Sequence, residues 1–203
     1  MELDSATTLI LVFCLGAFAT LHSLTASLSF KRFVVRKAGG ISRVENLYMP
    51  GYSLVAFVTI APLVYLLLKN PGPTLYVLPS PWRWLMISGQ GITALATSKA
   101  LLDAPHRFKL RAQLAAPKTP EAGELNIKGI YRWLRDPFLL SGLIILWLTP
   151  FMTLNLLLIY ILTSGYLYLG SLHWEKRLIS QFGEEYRKYQ KRVHRIIPSP
   201  DFA

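Results

Sequence analysis

From Pro137 to Leu172 the chain reads PFLLSGLIILWLTPFMTLNLLLIYILTSGYLYLGSL, and this stretch decides the fold. It runs for 36 residues without a charged side chain. A helix needs about 20 apolar residues to cross the hydrocarbon core of a bilayer, so the stretch is too long for one crossing. Pro150 and Thr153 interrupt it near the middle. The sequence therefore predicts a helical hairpin with a short outgoing arm and a longer returning arm.

Three further apolar segments precede the hairpin, at residues 6–30, 48–68 and 82–102. The third is the most polar, because it contains two glycines, a glutamine and a lysine. Together with the hairpin they predict an all-α fold, a polytopic membrane helical bundle of about five transmembrane helices. We expect a single domain, with a three-span part over residues 1–125 and the hairpin and C-terminal helix over residues 126–203.

The positive charge of the chain lies between the apolar segments. The net charge is +11 at pH 7, which in a soluble protein would suggest nucleic acid as a partner. Here residues 31–46, residues 103–136 and the tail from Lys176 hold 19 of the 22 Lys and Arg residues, which favours membrane lipids instead. The positive-inside rule then predicts a cytoplasmic C-terminus and an N-terminus outside. The size and the absence of a cleavable signal pattern favour a bacterial inner membrane.

The tail contains one helical stripe in which the spacing alternates between four and three residues. The stripe is apolar and aromatic except at its first position, and it predicts a cytoplasmic amphipathic helix. The basic residues of the tail lie mostly off the stripe and suit anionic headgroups. A lone acid on such a stripe favours a functional role, and the alternative is a surface ion pair. The stripe consists of Glu175, Ile179, Phe182, Tyr186, Tyr189 and Val193.

The hairpin is preceded by Asp136 and Pro137, a pair typical of a helix start. The carboxylate can accept hydrogen bonds from free backbone N–H groups, and proline suits the first helical position. A helix start also favours anionic ligand groups. The start of this helix is therefore either a binding site for such a group or simply the well-capped end of a membrane helix.

Two segments carry a family resemblance. They are GIYRWLRDPF at residues 129–138 and EKRLISQFGEEYRKY at residues 175–189. With the hairpin between them, they resemble the C-terminal half of the isoprenylcysteine carboxyl methyltransferase and phospholipid methyltransferase superfamily. The turn WLTPFMT at residues 147–153 and the His22-Ser23 pair are similar to its nurim and methanethiol S-methyltransferase branch, which is related to the NnrU-type membrane proteins.

The resemblance implies a membrane-embedded methyltransferase that uses S-adenosyl-L-methionine and acts on a small or lipophilic acceptor, whether a thiol, a carboxylate or a lipid. Its cofactor site would lie between the start of the hairpin and a tail that folds back over it. The resemblance assigns no catalytic residue and no metal. On the matching positions, the implied cofactor-binding residues are Gly129, Tyr131, Arg135, Asp136, Pro137, Glu175, Tyr186 and Tyr189.

Two positions depart from the superfamily pattern. Asp136 stands where the pattern has histidine, and Trp174 stands where it has the first of two adjacent glutamates. These departures leave open a second hypothesis, a catalytically inactive nurim-like membrane protein. A third hypothesis is an NnrU-type haem-binding protein or isomerase, in which His22 and His173 would ligate the haem.

Overall fold

The computed structural model describes residues 5–104, 109–115, 119, 124–125 and 127–198. Asn126, at which the second predicted part begins, lies outside the described residues. The all-α class is confirmed, because the described elements are helices apart from two short strands. The elements are α1 (Ser5–Ala26), α2 (Leu28–Lys37), α3 (Glu45–Lys69), β1 (Thr74–Val77), α4 (Trp82–Asp103), α5 (Leu110–Leu114), α6 (Pro137–Trp147), β2 (Phe151–Thr153), α7 (Leu154–Phe182) and α8 (Glu184–Arg192).

Helices α1, α3 and α7 are each long and apolar enough to cross a membrane. Large apolar side chains such as Phe13, Phe57 and Leu68 are more than 70% exposed on the first two, which suits contact with lipid rather than water. The chain is therefore an integral membrane protein. Helix α4 has the length of a span but a lower hydropathy, and α6 has only 11 residues. The count of five spans stays a prediction.

The chain divides into two compact units. The first comprises Met1–Leu78, Lys109–Leu114 and Phe151–Thr163. Its core joins α1 and α3 to the first part of α7, and β1 pairs with β2 in antiparallel orientation. The sequence did not predict these strands, because segments of four and three residues are too short to show an alternating pattern. The buried core residues are Leu11, Leu15, Leu63 and Ile159.

The second unit comprises Pro79–Phe108, Ala115–Pro150 and Ser164–Ala203, and it contains the outgoing arm of the predicted hairpin and the later part of the returning arm. Trp147 Nε1 at the end of α6 donates to Ser164 Oγ on α7 at 3.0 Å. A Cβ at Gly142 would lie 3.0 Å from Leu167 Cδ1, so the two arms pack closely there. Because α6 ends at Trp147, the predicted short outgoing arm and longer returning arm are confirmed.

The returning arm continues beyond the apolar stretch. Helix α7 runs for 29 residues and therefore includes Glu175 and the first half of the stripe. Gly183, with φ +58°, separates α7 from α8. The rest of the stripe is buried: Tyr186, Tyr189 and Val193 form an apolar cluster to which Ile179 and Phe182 also contribute.

Candidate active site

The tail folds back onto the start of the hairpin through main-chain hydrogen bonds within the second unit. The backbone N–H groups of Arg135 and Asp136 donate to the carbonyls of His194 and Arg195, at 2.9 and 3.1 Å. Arg135 Nε also donates to the Val193 carbonyl at 2.7 Å. The chain after α8 therefore lies against the residues that precede α6, as the resemblance implies.

Glu175 lies under this tail. Its carboxylate forms ion pairs with Arg135 and Arg195, and it accepts a hydrogen bond from the Tyr186 hydroxyl at 3.3 Å. Glu175 is only 8% exposed, so it is a buried acid with two basic partners rather than half of a surface pair. Removing one partner of such a buried pair typically costs roughly 3–5 kcal/mol.

Asp136 adds a second carboxylate beside Arg135. One of its oxygens, Oδ1, accepts a hydrogen bond from the Leu139 backbone N–H at 3.1 Å, and Pro137 occupies the first turn of α6. The predicted helix start is thus confirmed. Burial lowers the pKa of the Arg135 guanidinium, and Arg195 lowers it further, whereas Tyr186, Tyr189 and Asp136 raise it. An arginine keeps its charge through such changes.

The four charged groups form a cluster that we call the charge cluster: Arg135, Asp136, Glu175 and Arg195. Its two carboxylates and two guanidinium groups sum to zero net charge. Taking charges out of water is costly, and a buried ionic cluster of this kind is often no more stabilising than apolar residues of similar volume. Such a cluster is therefore a candidate for a binding role as well as a structural one.

The remaining residues implied by the resemblance shape the surroundings of the charge cluster. The Tyr189 hydroxyl donates to the Tyr131 carbonyl at 2.5 Å, and the Tyr131 hydroxyl donates to the Ala100 carbonyl at 3.2 Å. Gly129 has φ +59°, and a Cβ there would lie 2.5 Å from Asp103 Oδ2. Gly129, Tyr131 and Tyr189 therefore position the segment before α6, while Tyr186 contacts Glu175 directly.

Sequence reasoning missed one residue of the charge cluster, Arg195, and two residues beside it, Tyr168 and Ser171. Arg195 Cζ lies 5.7 Å from the centroid of the Tyr168 ring, and Arg195 also pairs with Glu175. Ser171 lies between Tyr168 and Glu175 on the same face of α7. Within the described part of the chain, Ser171 Oγ and Arg195 Nε are buried atoms without a hydrogen-bond partner. The sequence offered a signal only for Arg195, which is a basic residue between the apolar stripe and two isoleucines.

Unsatisfied buried donors beside paired opposite charges fit a small zwitterionic ligand group. Buried polar atoms in native proteins are nearly always hydrogen-bonded, so exceptions call for an explanation such as a ligand. The amino-acid end of S-adenosylmethionine carries one ammonium and one carboxylate, which match the two kinds of charge in the cluster. The residues present therefore fit this cofactor.

The two histidines of the haem hypothesis have other contacts. In the first unit, the Tyr52 hydroxyl lies 2.6 Å from His22 Nε2. In the second unit, His173 is exposed and its Nδ1 lies 2.9 Å from the Leu169 carbonyl oxygen. Across the described ranges, no group of three or more His, Cys, Asp or Glu residues is placed to hold a metal ion.

Similar proteins were found among curated sequences. A methanethiol S-methyltransferase of Mycobacterium tuberculosis is 28% identical over 196 residues, which is 92% of this chain and 76% of the relative. A methanethiol S-methyltransferase of Pseudomonas sp. is 31% identical over 188 residues, 89% of this chain and 69% of the relative. Methanethiol S-methyltransferase 2 of Bradyrhizobium diazoefficiens is 26% identical over 193 residues, 91% of this chain and 70% of the relative. No protein-family model and no solved structure matches the chain.

Proposed function

Because this chain belongs to the methanethiol S-methyltransferase family and is a methyltransferase, we propose that it transfers a methyl group from S-adenosylmethionine to a small thiol. The observation that carries the proposal is the buried Glu175 between Arg135 and Arg195, beneath the tail. A buried, charge-balanced cluster at the start of an apolar hairpin suits a polar cofactor and an apolar acceptor together.

The cofactor, when bound, would supply a methyl group on a positively charged sulfur; the acceptor thiol would lose its proton to water and bond to the methyl carbon as S-adenosylhomocysteine leaves. The chain's own contribution is alignment and the exclusion of water, which together can account for much of the acceleration of a two-substrate reaction. The charge cluster would hold the amino-acid end, with the Glu175 carboxylate facing the ammonium. Tyr186 and Tyr189, whose ring centroids are 5.7 Å apart, supply aromatic surface of the kind that attracts cations.

The proposal includes a topology. Five spans, with the N-terminus outside, place the charge cluster and the basic face of α8 at the cytoplasmic side of a bacterial inner membrane. The exposed Arg187, Lys188, Lys191 and Arg192 would contact anionic lipid headgroups there. A small thiol such as methanethiol partitions into hydrocarbon, so the apolar helices would give it access to the site.

The test is methyl transfer by the purified protein in detergent, with methyl-labelled S-adenosylmethionine and methanethiol as substrates. We expect labelled dimethyl sulfide in the headspace. Glu175→Gln keeps the size of the side chain but removes its charge, so we expect the rate to fall at least about tenfold, the value of one charge-assisted hydrogen bond.

Glu185→Gln is the matched control, because Glu185 is an exposed glutamate on α8. The rate of methyl transfer by this variant should equal that of the parent protein. Cofactor binding without transfer to any thiol would contradict the proposed acceptor. The absence of cofactor binding would contradict the proposal as a whole. A Soret band in the purified protein would favour the haem alternative.

A further inference from the structure

Arg195 occupies a distinctive place in the second unit. It belongs to neither α7 nor α8, yet its backbone carbonyl accepts the Asp136 N–H and its side chain reaches Glu175. The Arg195 side chain is 20% exposed, whereas those of Arg135 and Glu175 are 12% and 11% exposed. Among the three ion-paired side chains, that of Arg195 is thus the most exposed.

Its guanidinium group has donor capacity left over. An arginine carries five N–H donors, and here one end of the group, Nη2, is used by Glu175. Arg195 Nε is buried without a hydrogen-bond partner among the described residues. The guanidinium lies along the α7 face that carries Tyr168, Ser171 and Glu175, because it contacts both the first and the last of these.

Ser171 provides a second, independent observation on the same face. The residue is 6% exposed, and its Oγ has no hydrogen-bond partner in the described chain. A serine in a helix commonly bonds to a carbonyl one turn back, as Thr93 does with Gly89 in α4, so an unbonded buried hydroxyl is uncommon. A guanidinium and a hydroxyl that both retain donors are the groups that a carboxylate accepts from.

Asp136, the other carboxylate of the charge cluster, is not a suitable neighbour for a ligand carboxylate. Asp136 is only 7% exposed, and its negative charge lies beside Arg135. Asp136 Oδ1 accepts from the Leu139 backbone N–H, so the start of α6 already has its anion. A second carboxylate at that place would be repelled, whereas an ammonium group would be attracted.

We propose that Arg195, together with Ser171, binds the carboxylate of the amino-acid end of S-adenosylmethionine, while Glu175 and Asp136 attract its ammonium group. The inference rests on the proposed function and deepens it, because it assigns the carboxylate and the ammonium of one zwitterion to different, neighbouring residues. Arg195 is then a residue that selects the cofactor by its carboxylate.

The test compares two ligands that differ only in this group: S-adenosylhomocysteine and its decarboxylated analogue. Their dissociation constants are measured by isothermal titration on the full chain in detergent. We expect the parent protein to bind S-adenosylhomocysteine about ten- to a hundredfold more tightly, the range given by a hydrogen bond to a charged group. Arg195→Gln should bring the two constants within about threefold of each other, by the loss of that same bond.

Two further variants make the result specific. Arg195→Lys keeps the positive charge beside Glu175 but lacks the planar guanidinium with its Nε–H donor. The preference for S-adenosylhomocysteine should therefore lie between those of the parent and Arg195→Gln. Ser171→Ala should lower the preference about two- to tenfold, because it removes one hydroxyl donor to the carboxylate without disturbing the ion pairs. Arg132→Gln is the control, because Arg132 is exposed and should leave both constants unchanged. Thermal unfolding of each variant verifies that it is folded.

Every outcome decides the matter. Equal weakening of both ligands in Arg195→Gln would show a structural role and overturn the inference. Equal binding of both ligands by the parent protein would also overturn it, while leaving the proposed function intact. If the parent bound neither ligand, the proposed function itself would fail, and the inference would fail with it.

Discussion

Asp136 combines two roles in one side chain. It caps α6 through the Leu139 N–H, and its charge offsets Arg135. The superfamily pattern has a histidine at this position, and a neutral or positive ring would leave the cluster with an excess of positive charge. The departure is therefore matched to its surroundings, since the aspartate completes the balance with Glu175 against the two arginines.

Substitutions at Asp136 should separate capping from charge. Asp136→Ala removes the cap, and we expect a loss of about 0.5–2 kcal/mol in the free energy of unfolding. Asp136→Asn keeps a capping oxygen and loses only the charge, so its loss of stability should be smaller than that of Asp136→Ala, since asparagine caps about as well as aspartate. Equilibrium unfolding in mixed micelles measures both. Equal losses in the two variants would show that the charge matters more than the cap.

Some of the site was readable from single residues, and some was not. The capping role of Asp136 follows from its place before Pro137, and the importance of Glu175 follows from its place on an apolar stripe. Arg195 and Ser171 carry no such local signature. Their role depends on a contact across 20 residues between the tail and α7, which local sequence patterns do not reveal.

Trp174, the second departure from the superfamily pattern, is half-buried, and the Arg177 guanidinium lies 5.1 Å from the centroid of its ring.

At the level of elements, α7 and α8 carry most of the site. The periodicity of the stripe predicted that Tyr186, Tyr189 and Val193 share a face with Glu175, and they are buried as expected. The strands β1 and β2 were missed, because their pairing joins segments about 75 residues apart that have no pattern of their own. Periodicity thus predicts helices well and short, distant strand pairs poorly.

The corner between α7 and α8 depends on Gly183. Its φ of +58° and ψ of −128° lie where residues with a Cβ are strained, although a Cβ there would meet nothing within 4 Å. Gly183→Ala should therefore cost roughly 1–3 kcal/mol from backbone strain alone. We also expect weaker binding of S-adenosylhomocysteine, because α8 supplies Tyr186 to the site.

The matched control for this corner is Gly165→Ala. Gly165 lies inside α7 with open space around it, so alanine should be neutral or stabilise the helix by up to about 1 kcal/mol. Thermal unfolding and isothermal titration of both variants provide the comparison. Unchanged stability in Gly183→Ala would show that the corner adopts another backbone conformation.

For the whole molecule, the distribution of charge makes the strongest prediction. The proposed topology puts Lys69 outside and Lys188 in the cytoplasm, and both are exposed. Since Cys14 is the only cysteine, a Cys14→Ala background allows single-cysteine labelling. In intact cells an impermeant maleimide should label Lys69→Cys but not Lys188→Cys, which should react only after permeabilisation. The reverse pattern would contradict the positive-inside assignment.

The brevity of α6 bears on the choice of membrane. Eleven residues at about 1.5 Å per residue extend roughly 16 Å, about half of a typical hydrocarbon layer. In the proposed topology this mismatch is met by local thinning of the lipid or by polar groups drawn below the headgroups. The length of the lipid acyl chains then sets the depth of Asp136 in the membrane. The activity of the enzyme should therefore depend on bilayer thickness, as it depends on temperature or ionic strength.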